Sequence, residues 1–393
     1  MNIHEYQAKE IFQQYQIKVP KGKVAFTHLE AEKIAREIGP GPFVVKAQVH
    51  AGGRGKGGGI RKAENPAEVR EVARRMIETT IITPQTGPPG KCISRVLVEE
   101  NLFIARELYL GVTIDRRRGK VAVIGCPEGG VEIEEIGARA PEKIHREMAE
   151  PASGFQPFQG RKLAMAMGLE GNLIGKAATV ASALYRVFVE KDCSLAEINP
   201  LGLTSGGDLV ALDAKMNIDD NALYRQSAIV AMRDVEQEDS QDLEASRLGL
   251  NFINLHGNIG CIVNGAGLGM ATLDILRYYG GEPANFLDAG GGAGVDVISN
   301  AFKLLCSDSR VRGILVNMFG GITRCDVYAQ GIVEASRELQ LKLPLVIRLE
   351  GTNVEIGRKI LADSGLNIIN AGSMREAAQK IVKLVKKAYS LSS

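Results

Sequence analysis

Long hydrophobic runs are missing from this 393-residue chain. None approaches the ~18 apolar residues of a membrane-spanning helix. The opening MNIHEYQAKEIF also has no apolar stretch of signal-peptide length, so a cytoplasmic protein with no membrane partner is expected. Charge of one sign is equally scarce. Against 48 Lys and Arg stand 46 Asp and Glu, and the net charge of +2 gives no bulk attraction to nucleic acid. Cysteine is sparse and scattered. Cys92, Cys126, Cys193, Cys261, Cys306 and Cys325 form no CxxC pair, which argues against a disulfide or zinc framework and fits reduced, mostly buried thiols.

Two common nucleotide signatures are absent as well. A P-loop needs Gly-Lys followed by Ser or Thr, and here Gly55-Lys56 is followed by Gly57. The dinucleotide pattern GxGxxG has Gly265 and Gly267 after an apolar run, but Met270 stands at the third glycine.

Glycine is what the chain has in quantity, 45 residues of it, interleaved with apolar runs in a chain of ordinary globular composition. The densest stretch is VVKAQVHAGGRGKGGGI, Val44 to Ile60, where six of the last nine residues are Gly. Glycine buries nothing and loses the most backbone entropy when fixed. A packed core has no use for such a loop. Lys46 ends the preceding strand, the glycines can fold backbone N–H groups over phosphates, and Arg54 and Lys56 add charge.

The polar segment Asp234–Ser246 (DVEQEDSQDLEAS) reads as a surface helix or linker, and a boundary between residues 1–240 and 241–393 is expected there. Beyond it one pattern recurs: a short apolar run, then Gly-rich residues, then a helix-period segment. The runs are IGCIV (259–263), ANFLD (284–288), GILVNM (313–318), LPLVIRL (343–349) and LNIIN (366–370). Five such units predict a parallel, doubly wound, flavodoxin-like α/β sheet, with ligands beyond the carboxyl ends of its strands. Gly265, Gly267, Gly290 to Gly292, Gly320 and Gly321 fall at those ends. The first part is mixed α+β. Tyr6–Tyr15 and Glu30–Ile38 have helical period, Arg161–Lys191 reads as two helices joined near Gly171, and Phe43–Val49, Val96–Glu99, Tyr109–Ile114 and Lys120–Ile124 read as strands.

SLAEINPLGLTSGGDLVALDAK (194–215) reads as a hairpin turning at Ser205–Asp208. Pairing Thr204 with Leu209 places Asn199 opposite Ala214 and diagonal to Asp213, with Glu197 on the same face as Asn199. One amide and one carboxylate oxygen with room for waters and phosphates suit Mg²⁺; a solvated hairpin face is the plainer alternative. In VLVEENLFIARELYLGV (96–112), Glu99 and Glu107 can accept from ribose hydroxyls, and Glu100 to Leu102 can present backbone to a base.

Lysine strand, Gly-rich flap, hinge and acidic hairpin, in that order, resemble the ATP-grasp fold. More closely, NIHEYQAKE, KAQVHAGGRGK, EINPL, LDAK, DDNALYRQ, NGAGL, GGEPANFLD, NMFGGI and IRLEGTN resemble the β subunits of the succinyl-CoA synthetase family from Asn2 to about Val385. That resemblance implies an acid–thiol ligase that joins succinate and CoA at the expense of ATP or GTP. It implies nucleotide binding by Lys46, Gly53, Arg54, Gly55, Glu99, Leu102 (through its backbone) and Glu107, and Mg²⁺ ligation by Asn199 and Asp213. Glu197 would face a phosphorylated histidine, and Asn264, Gly321, Ile322 and Thr323 would line a succinate pocket. It also implies an α-subunit partner, in a heterodimer or heterotetramer, that supplies the histidine and most of the CoA site. None of this chain's histidines (His4, His28, His50, His145, His256) occupies a strand-to-helix turn of the second domain, which agrees with that division. Two alternatives stand beside this reading: a malate–CoA ligase β subunit, which shares nearly all of these motifs, and a nucleotide-binding regulatory subunit without turnover, against which the intact Lys46, Asn199 and Asp213 argue. Pro20 leaves guanine without an obvious polar reader, which favours ATP.

Overall fold

The computed structural model describes residues 1–290 and 292–390. Gly291, the middle of the glycine triplet, lies outside the described residues. The chain divides into two compact units, Met1–Gln237 and Glu238–Ser393.

The first unit carries strands β1 (Gly22–Ala25), β2 (Phe43–Ala47), β3 (Ile60–Ala63), β4 (Thr80–Ile81), β5 (Lys91–Cys92) and β6 (Val96–Glu100). β1, β6, β2 and β3 form one antiparallel sheet in that order, and β4 pairs with β5. Two helices, His28–Ile38 and Pro66–Met76, pack on it. Both begin where their sequences dictate. The Thr27 hydroxyl accepts from the Glu30 N–H, and the Asn65 amide oxygen accepts from the Glu68 N–H, with Pro66 supplying a helical φ at the first turn.

Next come β7 (Ile104–Asp115), β8 (Lys120–Cys126), β9 (His145–Ala149), β10 (Cys193–Thr204), β11 (Leu209–Ala211) and β12 (Lys215–Ile218). Their sheet runs β11-β10-β7-β8-β9, with β12 also on β10. The helices Glu5–Gln14, Pro157–Ala166 and Asn172–Glu190 share its largest apolar core. In the last of these Ala177, Ala181, Leu184 and Phe188 are buried, a spacing of four, three and four that keeps one helical face inward.

The hairpin register differs from the sequence expectation. Leu203, not Thr204, pairs with Leu209. Gly207 adopts φ 77° and its N–H reaches the Thr204 carbonyl, while the Thr204 hydroxyl accepts from the Asp208 N–H. The loop is therefore three residues long, with glycine at the left-handed position, rather than four. The same register holds from Leu201–Ala211 through Glu197–Lys215, so Asn199 faces Asp213 directly instead of diagonally. Pro200, which has no N–H to donate, sits where the β10–β7 ladder breaks between Ile198 and Leu201.

The second unit is a six-stranded sheet of β13 (Asn251–Asn254), β14 (Ile259–Val263), β15 (Asn285–Asp288), β16 (Gly313–Gly320), β17 (Leu345–Gly351) and β18 (Ile368–Asn370). Its order is β13-β15-β14-β16-β17-β18. The five expected strands are parallel and follow the flavodoxin-like winding 2-1-3-4-5. β13 is an antiparallel edge that the sequence pattern did not reveal. Two asparagines stitch β14 to its neighbours. Asn285 accepts from the Cys261 N–H (2.9 Å) and donates to the Cys261 carbonyl (2.9 Å). Asn264 does the same for Phe319, donating at 2.8 Å and accepting at 2.9 Å. No helix among the described residues is long and apolar enough to cross a membrane.

Candidate functional site

A cleft of about 990 Å³ opens in the first unit. Lys46, Gly53, Arg54, Gly55, Glu99, Leu102, Glu107, Glu197, Asn199 and Asp213 all line it, so residues spread over 168 positions of sequence (213 − 46 + 1) meet in one space.

The floor is a buried ion cluster. Lys46, near the end of β2, reaches Glu5 (2.9 Å), Glu99 (2.8 Å) and the Leu212 carbonyl. Lys9 reaches Glu5 (2.8 Å), Glu99 (2.6 Å) and the same carbonyl (2.7 Å). Burial works against the charge on Lys46, but Glu5 and Glu99 outweigh it and hold the ammonium more basic than an ordinary lysine. For Glu5, burial is again the largest influence, and Lys46, Lys9 and Arg54 together overcome it to keep the carboxylate well below its usual range.

The glycine loop is held by its own backbone. The Gly57 N–H reaches the Gly53 carbonyl, the Gly59 N–H reaches that of Arg54, and Gly59 in turn accepts from Ala47. Gly53 takes φ 71°, a conformation open to glycine at little cost. From behind, the side-chain oxygen of Gln85 accepts from the Gly52 N–H (2.6 Å). The Arg54 side chain folds inward. It donates to the Ala47 carbonyl (2.8 Å), to Glu5 (2.7 Å) and to both oxygens of Asp213 (2.8 Å each). Lys56 points outward to an exposed pair with Glu135 (2.7 Å), a contact of little energetic weight.

Asn199 and Asp213 face each other across the hairpin. The Asn199 amide oxygen accepts from the Gly130 N–H (2.8 Å), and its NH₂ donates to the Val131 carbonyl (2.9 Å), which fixes the oxygen's direction. Among the described residues no three His, Cys, Asp or Glu side chains converge as a self-sufficient metal cage. One carboxylate plus one amide oxygen is instead the donor set of a Mg²⁺ ion that takes its remaining ligands from phosphate and water, so the residues present fit that ion. Glu197 lies on the same strand. Burial, opposed by Lys215 and reinforced by Glu132 and Asp213, pushes its carboxyl up to about 7, a value suited to holding or releasing a proton near neutrality.

The residues expected at the base and ribose are more open. Leu102 lies in the connection between β6 and β7, and Glu107 is exposed on β7 at the cleft wall. Glu99 points the other way, with its side chain 2% exposed and its oxygens on Lys9 and Lys46. In the second unit, Asn264 and Gly321 stand just beyond the ends of the adjacent strands β14 and β16, at the switch point of the winding. Ile322 is 91% exposed, and Thr323 is buried.

Sequence reasoning assigned no role to Glu5, Lys9 or the Leu212 carbonyl. A trace was present. Positions 5, 9 and 12 fall on one helical face, and that face is buried although two of its members are charged.

Comparison with known proteins adds the family. The ATP-grasp domain family matches residues 2–203, and the CoA-ligase family matches residues 262–382. The succinate–CoA ligase [ADP-forming] β subunit of Geobacillus kaustophilus is 55% identical over 386 residues, covering 98% of this chain and 100% of the relative. That of Bacillus subtilis is 53% identical over 385 residues, again 98% of this chain and 100% of the relative. The chain belongs to the succinate–CoA ligase β-subunit family. This family membership covers both units and makes the chain part of a ligase. The structure of ATP citrate lyase from Methanothrix soehngenii in complex with citrate and coenzyme A superposes with a TM-score of 0.70 at 20% identity. It covers 98% of this chain and 99% of that one, and it shares the fold.

Proposed function

We propose that this chain is the nucleotide-binding β subunit of an ADP-forming succinate–CoA ligase: succinate, CoA and ATP give succinyl-CoA, ADP and phosphate. The observation that carries the reading is the convergence of Lys46, Arg54, Asn199 and Asp213 in one cleft. Phosphoryl transfer asks a protein mainly for positioning and charge neutralisation, and this cleft is built of cations, backbone amides and hard oxygens. Lys46 and Arg54 hold the phosphates, with the backbone of Gly53 and Gly55 beside them. Leu102 and Glu107 border the base and ribose, and Glu99, turned inward, anchors Lys9 and Lys46 instead of meeting the ribose. Mg²⁺, held by Asn199 and Asp213, would neutralise phosphate oxygens.

Glu197 faces the imidazole of a phosphohistidine carried by the α-subunit partner, and its raised carboxyl pKa lets it hold or yield a proton there. Asn264 and Gly321-Ile322-Thr323 form one wall of the carboxylate pocket, and the partner supplies most of the CoA site. Scattered free thiols fit a reduced, cytoplasmic setting.

The test is co-expression with the α-type partner, followed by CoA-thioester assays with succinate and malate under ATP and GTP. Activity with succinate and ATP is expected. Replacing Asp213 by Asn should abolish labelling of the partner histidine by γ-labelled ATP while the complex still assembles. Labelling at the wild-type rate would remove Asp213 from the mechanism.

A further inference from the structure

The ion cluster at the base of the cleft is balanced. Three cations, Lys9, Lys46 and Arg54, meet three carboxylates, Glu5, Glu99 and Asp213. The carboxylates differ in exposure. The side chains of Glu5 and Glu99 are each 2% exposed, whereas that of Asp213 is 30% exposed at the cleft surface. Asp213 is also the one held by a single cation. Both its oxygens accept from the same Arg54 nitrogen at 2.8 Å, and one also accepts from the Ala214 N–H (2.8 Å).

That bond has a consequence for ligand order. The Arg54 nitrogen that binds Asp213 also binds Glu5, so it has no capacity left for a phosphate oxygen while the pair persists. Asp213 for its part has both oxygens committed to a cation. A phosphate arriving alone must either displace a carboxylate from that nitrogen or use the remaining N–H groups of Arg54 with the Asp213 charge still on the same guanidinium. A phosphate arriving with a divalent cation meets no such conflict, because the cation occupies the carboxylate as the phosphate occupies the guanidinium.

We propose that Asp213 competes with the nucleotide phosphates for Arg54, so that the cleft discriminates against metal-free nucleotide. The proposal rests on the nucleotide-site reading above and adds to it a basis for selecting the metal complex. It assigns Asp213 two roles of opposite sign, repelling the bare phosphate and holding the metal-bound one.

Isothermal titration of the co-expressed complex with ADP, in EDTA and in excess Mg²⁺, separates these roles. Asp213→Asn should bind ADP in EDTA about tenfold more tightly than the wild type, equivalent to about 1.4 kcal/mol, and should lose most of the gain that Mg²⁺ confers. Asp213→Glu keeps the negative charge and should keep the weak metal-free binding. Asp208→Asn removes a carboxylate from the turn of the same hairpin, where it pairs with Lys18 and Lys176, and should leave metal-free binding unchanged. Thermal midpoints report whether each variant is folded, and Asp213→Ser carries the same test if the Asn variant is not. Metal-free affinity of Asp213→Asn at or below the wild type would overturn the competition. So would an equal gain from Asp208→Asn, which would mean that overall charge is responsible. A wild-type complex that binds no ADP even with Mg²⁺ would instead overturn the nucleotide-site reading, and the competition with it.

Discussion

Replacing Glu5 by Gln tests the idea that the N-terminal helix builds the phosphate site. Glu5 is the hub of the cluster. One oxygen receives Lys9 (2.8 Å) and Lys46 (2.9 Å), and the other receives Arg54 (2.7 Å) and the Gln48 amide (3.2 Å). Gln has the same shape, but it leaves three buried cations facing two carboxylates. Removing one partner from a buried ion pair costs ~3–5 kcal/mol, because the remaining charge stays desolvated. For a unit of this size each kcal/mol moves the melting midpoint by about 2–4 °C, so a fall of roughly 6–20 °C is expected.

The same imbalance makes a second, less obvious prediction. Nucleotide phosphates bring negative charge to those cations, so saturating Mg²⁺-ADP should stabilise Glu5→Gln more than it stabilises the wild type. Differential scanning fluorimetry with and without ligand reads both effects. A variant that melts within about 2 °C of the wild type, the shift expected of about 1 kcal/mol or less, would refute the role of Glu5 as the hub. A variant that melts early but gains no extra stabilisation from ligand would show that Glu5 supports the fold and not the phosphate site.

Three further perturbations probe other parts of the molecule. Gln85→Ala removes the acceptor behind Gly52, and it should raise the nucleotide KM about threefold to tenfold, the worth of one hydrogen bond, with the melting midpoint unchanged; an unaltered KM would show that the glycine loop needs no prop. Burial, aided by the neighbouring His4, pushes the His50 imidazole down to about 4 in an environment that also contains Asp234, Lys91 and Arg95. The unfolded chain therefore binds the proton first as pH falls from about 6.5 to about 4, and stability should decline across that window by up to ~3 kcal/mol. Urea titrations of His50→Asn at pH 7.5 and pH 5 should show a shallower decline than the wild type, and an equal slope would count against His50. The Tyr328 hydroxyl is buried without a hydrogen-bond partner among the described residues, so Tyr328→Phe should leave stability unchanged or raise it by up to about 1 kcal/mol; a loss of that size in urea melts would show that the hydroxyl is bonded.

The two sheets differed in how legible they were. In the second unit each parallel strand is a continuous apolar run followed by glycine and a helix-period segment, and chain order nearly prescribes the winding, because parallel strands need long, right-handed crossovers. Strand β13 escaped notice because NFIN carries only two apolar residues and lies at an edge with one paired side. In the hairpin, the turn was legible but its length was not. Only the left-handed Gly207 and the Thr204 hydroxyl bond shorten the loop to three residues, and a one-residue slip moves every cross-strand partner.

The chemistry divides along the same line. Residue types and local spacing determined the glycine loop, Lys46 at a strand end, Glu197 and Asn199 on one strand, and the alternating architecture of the second unit, since periodicity and turn propensity act over a few residues. Only tertiary folding decided that Glu5 and Lys9 belong to the site, that Glu99 turns inward to two lysines, and that Arg54 grips Asp213 from 159 positions away. Such pairings exist because burial strips charges of water and makes each seek a partner in space, and no local pattern in the chain records which partner that is.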